Sequence, residues 1–443
     1  HLALTGLAFL AFLAFALVYR VPDVEVFLIP AFLLAALWLG AGLDQAGRLL
    51  RVRGSSPALR RLQLACGALV AVAALAQPLW IAARAYPDVD LSRRWIAHDW
   101  GLYVLDETRP AGDGTVVGLL GEMTLLRYFQ ETAGAAPWLQ TVAADEEAAR
   151  RAAVARALAG GGAVYVTRPV PGLAEEHALD AVTGIVDVLG EPETLIRVGA
   201  PDDEPPPMPR PADVEPLPGL ELLGYGVYQH TGHWQAWARL RLWWRAPAGL
   251  EAPLKVSARL LAAGGQAVAS ADAEPVAGTY PTTAWRPGEV VVDAYELPLP
   301  AGLPPGDYTP LVIVYDPSTG AELGRAELAP VALAAHPALP PRRALEAGLA
   351  RLSDARFRDL ALVGWTPPSA DVTFRPGEAL PLALLWQARG PVAGDWQASF
   401  GLEGAGRRIL LGREAVGGPY PTARWQEGGA VAQWPALRLP ADA

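Results

Sequence analysis

Three apolar runs crowd into the first 86 residues and set the first constraint on the fold. They are Leu2–Val18, Val24–Leu43, broken only by Glu25 at its edge, and Leu62–Ala83, which the chain leaves at Arg84. At 1.5 Å of rise per residue, each approaches the roughly 30 Å of a hydrocarbon core. Core helices of a soluble protein would need a polar face, and these runs have almost none. The expectation is three transmembrane helices, at 2–18, 24–43 and 62–84.

The loop between the second and third runs carries Arg48, Arg51, Arg53, Arg60 and Arg61 against a single acid, Asp44. The positive-inside rule assigns such a loop to the cytoplasm. The turn Tyr19-Arg20-Val21-Pro22-Asp23 then faces the other side, and everything from about residue 85 onward is expected to be extracytoplasmic in a multi-pass protein of a cell membrane. Trp38, Trp80 and Tyr86 lie near run ends, where aromatic rings favour the interface. Glu25 is the only acid inside an apolar run, and such an acid is a functional candidate by default. An acid also suits a helix N-terminus and can reach the headgroups from there, so both readings stand for Glu25 and for its neighbour Asp23.

Composition excludes several classes. The net charge is −10 and Lys255 is the only lysine, which argues against nucleic acid as a partner, because phosphate binding needs clustered cations. Cys66 is the sole cysteine, so no disulfide, CxxC motif or thiolate metal site forms within the chain. The chain begins at His1 with no initiator Met, basic n-region or cleavage site, and so reads as a truncated start rather than a signal peptide.

Residues 87–200 read as a small α/β domain with a largely parallel sheet. Trp95, Ile96, Trp100, Tyr103 and Val104 recur at helical spacing. Val116–Leu120, Ala163–Thr167, Val182–Val188 and Thr194–Val198 read as strands, with helices from Thr124 to about Thr132 and from an Asp145 cap to Leu158. Gly118-Leu119-Leu120-Gly121 lies between a strand and a helix, but it matches neither a dinucleotide fingerprint nor a P-loop. His98, Asp99, Glu122 and Arg127 can be placed around a cleft, yet they form no recognisable triad or metal set in the sequence. No metal site or cofactor is identified.

The Pro-rich acidic stretch at 201–216 reads as a linker. Beyond it, Ala236–Trp244, Lys255–Leu261, Val290–Leu297 and Tyr308–Tyr315 carry β patterning with turn signals between them. One motif then repeats. Gly278-Thr279-Tyr280-Pro281-Thr282-Thr283-Ala284-Trp285 returns as Gly418-Pro419-Tyr420-Pro421-Thr422-Ala423-Arg424-Trp425, an offset of 140 residues (418 − 278). Flanking segments agree: Leu223-Gly224-Tyr225 answers Val363-Gly364-Trp365, Leu242-Trp243-Trp244 answers Leu384-Leu385-Trp386, and Leu297–Ala301 answers Leu437–Ala441. A matched set at nearly one offset means two copies of one immunoglobulin-like β-sandwich module, at 217–335 and 357–443, joined by a linker at 336–356. The second copy stops at Ala443, before a counterpart to Leu311–Asp316. It is expected either to be cut there, with an open sheet edge, or to be a shorter complete module. The recurring Trp243, Trp244, Trp285, Trp386 and Trp425 fit core positions better than sugar-stacking platforms.

Tyr19–Pro30, continued by Leu37-Trp38-Leu39-Gly40-Ala41-Gly42-Leu43, resembles the bacterial membrane proteins of the DUF2723 group, which look like protein O-mannosyltransferases. Gly121-Glu122 and Arg127-Tyr128-Phe129-Gln130 are similar to the extracytoplasmic region of that group, so the resemblance covers about the first 200 residues. It implies a GT-C glycosyltransferase that moves a sugar from a polyprenyl-phosphate carrier to an acceptor outside the cytoplasm. The partners it implies are the lipid bilayer, a lipid-linked sugar and a cell-surface glycan or protein acceptor. The family's catalytic acid lies in an early loop that has no counterpart here, so the catalytic residue is unknown. Asp23, Glu25 and Arg20 remain weak candidates for assisting a proton transfer or a phosphate. The rival expectation is a membrane-anchored surface protein whose β modules bind glycan or protein partners without catalysis.

Overall fold

The computed structural model describes residues 2–18, 28–50, 57–89, 95–109, 112–188, 190–199, 207–233, 235–335, 345–346, 349–353, 355–369, 371–404 and 407–440. The chain divides into two compact units, His1–Ser92 and Arg93–Ala443.

The first unit contains three helices: α1 (Leu2–Val18), α2 (Ile29–Leu50) and α3 (Pro57–Val89). The indole Nε1 of Trp38 on α2 donates to Thr5 Oγ1 on α1 at 2.8 Å, and Phe9 meets the same indole at 5.3 Å. The expectation of a membrane protein with three transmembrane helices, and with it the multi-pass cell-membrane location, is overturned. Among the described residues, no helix is long and apolar enough to cross a membrane. The 17 residues of α1 reach roughly 25 Å at 1.5 Å per residue. Counted from Ile29, the apolar stretch of α2 ends at Asp44 after roughly 22 Å, and Gln63 and Gln77 interrupt the apolar run of α3. Arg20, Asp23 and Glu25 lie outside the described residues.

The second unit opens with α4 (Ile96–Glu107), followed by a five-stranded sheet. Its strands are β1 (Gly114–Gly118), β2 (Leu139–Ala143), β3 (Ala163–Val166), β4 (Ala178–Val188) and β5 (Glu191–Gly199), in the order β2-β1-β3-β5-β4. β1 runs parallel to β2 and β3, but β5 runs antiparallel to both of its neighbours, β3 and β4, so the sheet is mixed rather than largely parallel. The helices α5 (Leu120–Ala133), α6 (Glu147–Gly160) and the short α7 (Leu173–Glu176) connect these strands. Val116 and Tyr165 point to the core shared with α4 and α5, while their neighbours Val117, Val164 and Val166 point to the core beneath α6. Burial on both faces is why these strands read as unbroken apolar runs. Asp145 does not cap α6, whose N-cap is Glu146; it accepts from the Leu120 N–H at 2.8 Å and so fastens the start of α5.

The first β module pairs β6 (Arg210–Leu217), β7 (Leu220–Thr231), β8 (Ala236–Arg245) and β11 (Val290–Leu299) in the order β11-β8-β7-β6. The second sheet joins β9 (Lys255–Leu261), β10 (Ala267–Ala273), β12 (Gly306–Tyr315) and β13 (Glu322–Glu327) as β10-β9-β12-β13, with β14 (Val331–Leu333) also paired to β12. Leu240, Leu242 and Trp244 face Val256, Ala258, Leu260, Val312 and Val314 across one core. β6 lies within the stretch expected to be a linker. Its prolines suit an edge strand, and the register shifts after Pro211 and before Leu217.

The second β module has β17 (Leu360–Thr366), β19 (Ala383–Ala388) and β22 (Ala430–Gln433) in one sheet, with β15 (Arg351–Leu352) and β16 (Arg356–Phe357) both on β17. Two smaller pairs accompany it, β18 (Ala379–Leu380) with β23 (Leu437–Arg438) and β20 (Gln397–Gly404) with β21 (Arg407–Ala415). β20 occupies the place of β9 in the repeat. Among the described residues it pairs with β21 alone, whereas β9 pairs with both β10 and β12.

The repeated motif is a pin. In the first copy Thr282 Oγ1 accepts from the Leu254 N–H at 3.0 Å and donates to Ala252 O at 2.9 Å, and Trp285 Nε1 donates to Tyr280 O at 3.0 Å. In the second, Thr422 Oγ1 accepts from the Trp396 N–H at 3.0 Å and donates to Gly394 O at 2.9 Å, and Trp425 Nε1 donates to Tyr420 O at 3.1 Å. The five recurring Trp residues are all buried, so they offer no face for a sugar.

β8 is covered on both sides. Ala238, Leu240, Leu242 and Trp244 enter the sandwich core, while Trp237, Arg239 and Arg241 face the α/β layer. There Arg239 donates Nε to Glu296 Oε1 at 2.8 Å and Nη1 lies 2.7 Å from Glu107 Oε2 on α4; the Tyr103 hydroxyl donates to Glu296 Oε1 at 2.7 Å. Gly184 on β4 lets the two layers touch, because a Cβ there would sit 2.4 Å from the Glu296 nitrogen.

Candidate functional site

On the outer face of the β10-β9-β12-β13 sheet lies a groove of about 610 Å³. Strand alternation builds it. Ser257, Arg259 and Leu261 of β9 and Leu311, Ile313 and Tyr315 of β12 point outward, while Val256, Ala258, Leu260, Val312 and Val314 fill the core. Leu311 and Ile313 are buried and form an apolar floor. Arg259 and Arg325 supply donors at the rim, and Asp272, Glu322 and Glu327 supply acceptors. The β10–β9 pair shifts register between Ala267 and Ala269, and the β12–β13 pair between Val314 and Tyr315. Such bulges bend strands, and here they flank the groove on both sides.

The rim is already organised. Arg259 Nε donates to Ser257 Oγ at 2.9 Å, and Arg325 Nη2 donates to Glu322 Oε2 at 2.6 Å. The Arg325 hydrogen bond holds the Glu322 carboxyl below the usual carboxylate range, and Glu322 in turn raises the Arg325 guanidinium. At the hairpin tip Asp316 accepts from the Ser318 hydroxyl at 2.7 Å and its N–H at 2.8 Å, which holds its carboxyl low as well. The alternation of Ser257, Arg259 and Leu261 was visible in the sequence; the antiparallel pairing that sets it beside Leu311, Ile313 and Tyr315 was not.

The residues placed around a cleft from the sequence are not one site. Glu122 accepts from the Leu119 N–H at 2.9 Å and from Arg168 Nε at 2.6 Å, and it also takes the Thr167 hydroxyl. It fills the start of α5, where a phosphate would need to sit. A Cβ on Gly118 would meet Thr167 Oγ1 at 2.1 Å and Glu122 Oε2 at 2.5 Å, so the glycine accommodates the protein's own side chains and leaves no nucleotide cradle. Nearby Glu193 is buried and pushed up to about 7, first by desolvation and then by Glu122. Arg127 ties α5 to β2 by donating to Thr141 Oγ1 and Thr141 O, both at 2.8 Å. His98 and Asp99 do lie together, and the turn between β7 and β8 adds His233 to them. No spacing in the sequence announces that residue.

No family model matches the chain, and no curated protein matches it. Among solved structures, the chain is similar to a candidate β-galactosidase from Bacteroides fragilis, at 11% identity over 32% of this chain and 19% of that one, with a TM-score of 0.19. It is also similar to the Bacteroides uniformis β-glucuronidase, at 13% identity over 39% and 26% of the two chains (TM-score 0.21). A calcium-binding mutant of B. uniformis β-glucuronidase 2 matches at 13% identity over 38% and 25% (TM-score 0.20). The matched regions span about a quarter or less of those proteins, and at such TM-scores no shared fold is established.

Proposed function

We propose that the chain is a glycan-binding protein whose first β module holds the saccharide in the groove over β9 and β12. The observation that carries this reading is the combination of an apolar floor, one accessible aromatic ring and a rim of paired charges on a rigid sheet. A sugar ring offers a C–H face to Tyr315 and the floor, and hydroxyls to Arg259, Asp272 and Arg325. The volume of about 610 Å³ lies within the roughly 300–1,000 Å³ of small-molecule sites. The transferase reading rests on the sequence resemblance alone.

The test is an oligosaccharide panel followed by calorimetry on the best binder. Tyr315→Ala should weaken binding by about 1–3 kcal/mol, the scale for removing an interface aromatic, with melting unchanged. Binding that survives both Tyr315→Ala and Arg259→Ala, or a panel with no binder, would overturn the proposal.

A further inference from the structure

Three metal-ligating side chains converge where α4 meets the β7–β8 turn. Asp99 Oδ1 lies 3.1 Å from His98 Nδ1 and 3.5 Å from His233 Nδ1, and the three ligand atoms lie within 4.8 Å of one another. An ion about 2.0–2.2 Å from each of its ligands holds neighbouring ligands about 3.0 Å apart in an octahedral shell and about 3.5 Å apart in a tetrahedral one. Asp99 Oδ1 therefore lies near enough to each imidazole nitrogen for a single ion to take both pairs as neighbouring ligands after small side-chain adjustments.

The surroundings orient all three groups. Asp99 has a side chain only 5% exposed, and its Oδ2 accepts the His233 backbone N–H at 2.6 Å, which leaves Oδ1 toward both imidazoles. Outer hydrogen bonds of this kind fix the direction of a ligating carboxylate. The His233 ring stacks on Trp95 at 3.9 Å with 5° between planes, and His98 packs edge-on against Phe129 at 5.2 Å. Gly232 is required for the approach, since a Cβ would lie 2.2 Å from Asp99 Oδ2. The imidazoles are 34% and 45% exposed, so an ion can enter and water can complete its shell.

We propose that His98, Asp99 and His233 form a binding site for a first-row divalent metal ion such as Zn²⁺. Two nitrogen donors and one carboxylate suit that class; Ca²⁺ and Mg²⁺ select oxygen donors. The ion would cross-link the α/β layer to the first β module and leave at least one coordination position open. None of the three residues lines the glycan groove, so this proposal stands apart from that one.

The experiment uses the full chain after chelator treatment, titrated with Zn²⁺ by calorimetry and with Co²⁺ by visible absorption. One ion per chain is expected, with d–d bands for bound Co²⁺. His98→Ala and His233→Ala alter partly exposed side chains and should each weaken Zn²⁺ by more than about 100-fold, above the 10–100-fold typical of losing an outer partner. Circular dichroism of both variants establishes that they fold. No stoichiometric ion in the wild-type chain, unchanged affinity in both folded variants, or Ca²⁺ bound as tightly as Zn²⁺ would each overturn the proposal.

Discussion

Asp293 in β11 allows the cost of a buried charge to be measured. It is fully buried, and its Oδ1 accepts the Val276 N–H at 2.8 Å and its neighbour Ala294 N–H at 2.9 Å, while Oδ2 takes the Tyr295 hydroxyl. Burial pushes its carboxyl from 3.8 up to about 6, against the opposing pull of those hydrogen bonds. The folded pKa therefore lies above the unfolded one. Between pH 3.8 and about 6 the folded chain keeps a proton that the unfolded chain has released, so stability falls as pH rises through that window. At 1.36 kcal/mol per unit, the shift amounts to about 3 kcal/mol above pH 6. The second module does the same work without a charge: Gln433 Oε1 accepts from Gly417 N–H at 3.2 Å and Trp386 Nε1 at 3.0 Å, and its Nε2 donates to Ala415 O at 2.9 Å. Asp293→Asn keeps the acceptor for Val276 and Ala294 and removes the charge. Weaker hydrogen bonds to a neutral acceptor return about 1 kcal/mol of the gain. Hydrogen exchange at the Val276 and Ala294 amides should show opening free energies higher by about 1–2 kcal/mol at pH 8 and unchanged or lower near pH 4. Protection lost by about 1 kcal/mol or more at pH 8 would refute the burial argument.

Two further substitutions probe how the α/β layer meets the first module. Gly184→Ala pushes a methyl into the β11 backbone and should cost about 1–3 kcal/mol of overpacking strain, read as a lower melting temperature; an unchanged melt would show that β4 and β11 are not in contact. Arg239→Met strands Glu296 and Glu107 and should cost about 3–5 kcal/mol in denaturant unfolding, and adding Glu296→Leu should recover part of that loss, because an apolar pair can replace a buried ion pair; a second loss of the same size would contradict this account.

Much of the β architecture was legible because alternation is a local signal. β8, β9, β11 and β12 lie where the sequence places strands, and the repeated Tyr-Pro-Thr segment declared two modules before its hydrogen bonds were seen. β2 escaped notice because Gln140 and Thr141 interrupt its apolar positions, and β6 because Pro211 and Pro216 make an edge strand look like a linker. The largely parallel sheet expected from the alternation of strands and helices is mixed, because no helix separates β4 from β5 and the two pair antiparallel, with Gly190 at φ 91° just ahead of β5. The apolar runs mark the helices but not their bounds, since α2 extends past Leu43 to Leu50 and α3 runs from Pro57 to Val89 through polar residues that the hydropathy pattern leaves out. Neither candidate site was readable. The groove requires pairing between strands more than 45 residues apart, as in Ser257 beside Ile313, and His233 is 134 residues from Asp99.

The two-sided burial of β8 means that the repeat is not a string of interchangeable beads. Cutting the first copy free at residue 217 would bare Arg239 and Glu296, each 3% exposed in the intact chain, and leave charge on a surface shaped for a neighbour. The first copy has become specialised to its position, so transplanting it into the place of the second should yield a protein that sticks to itself.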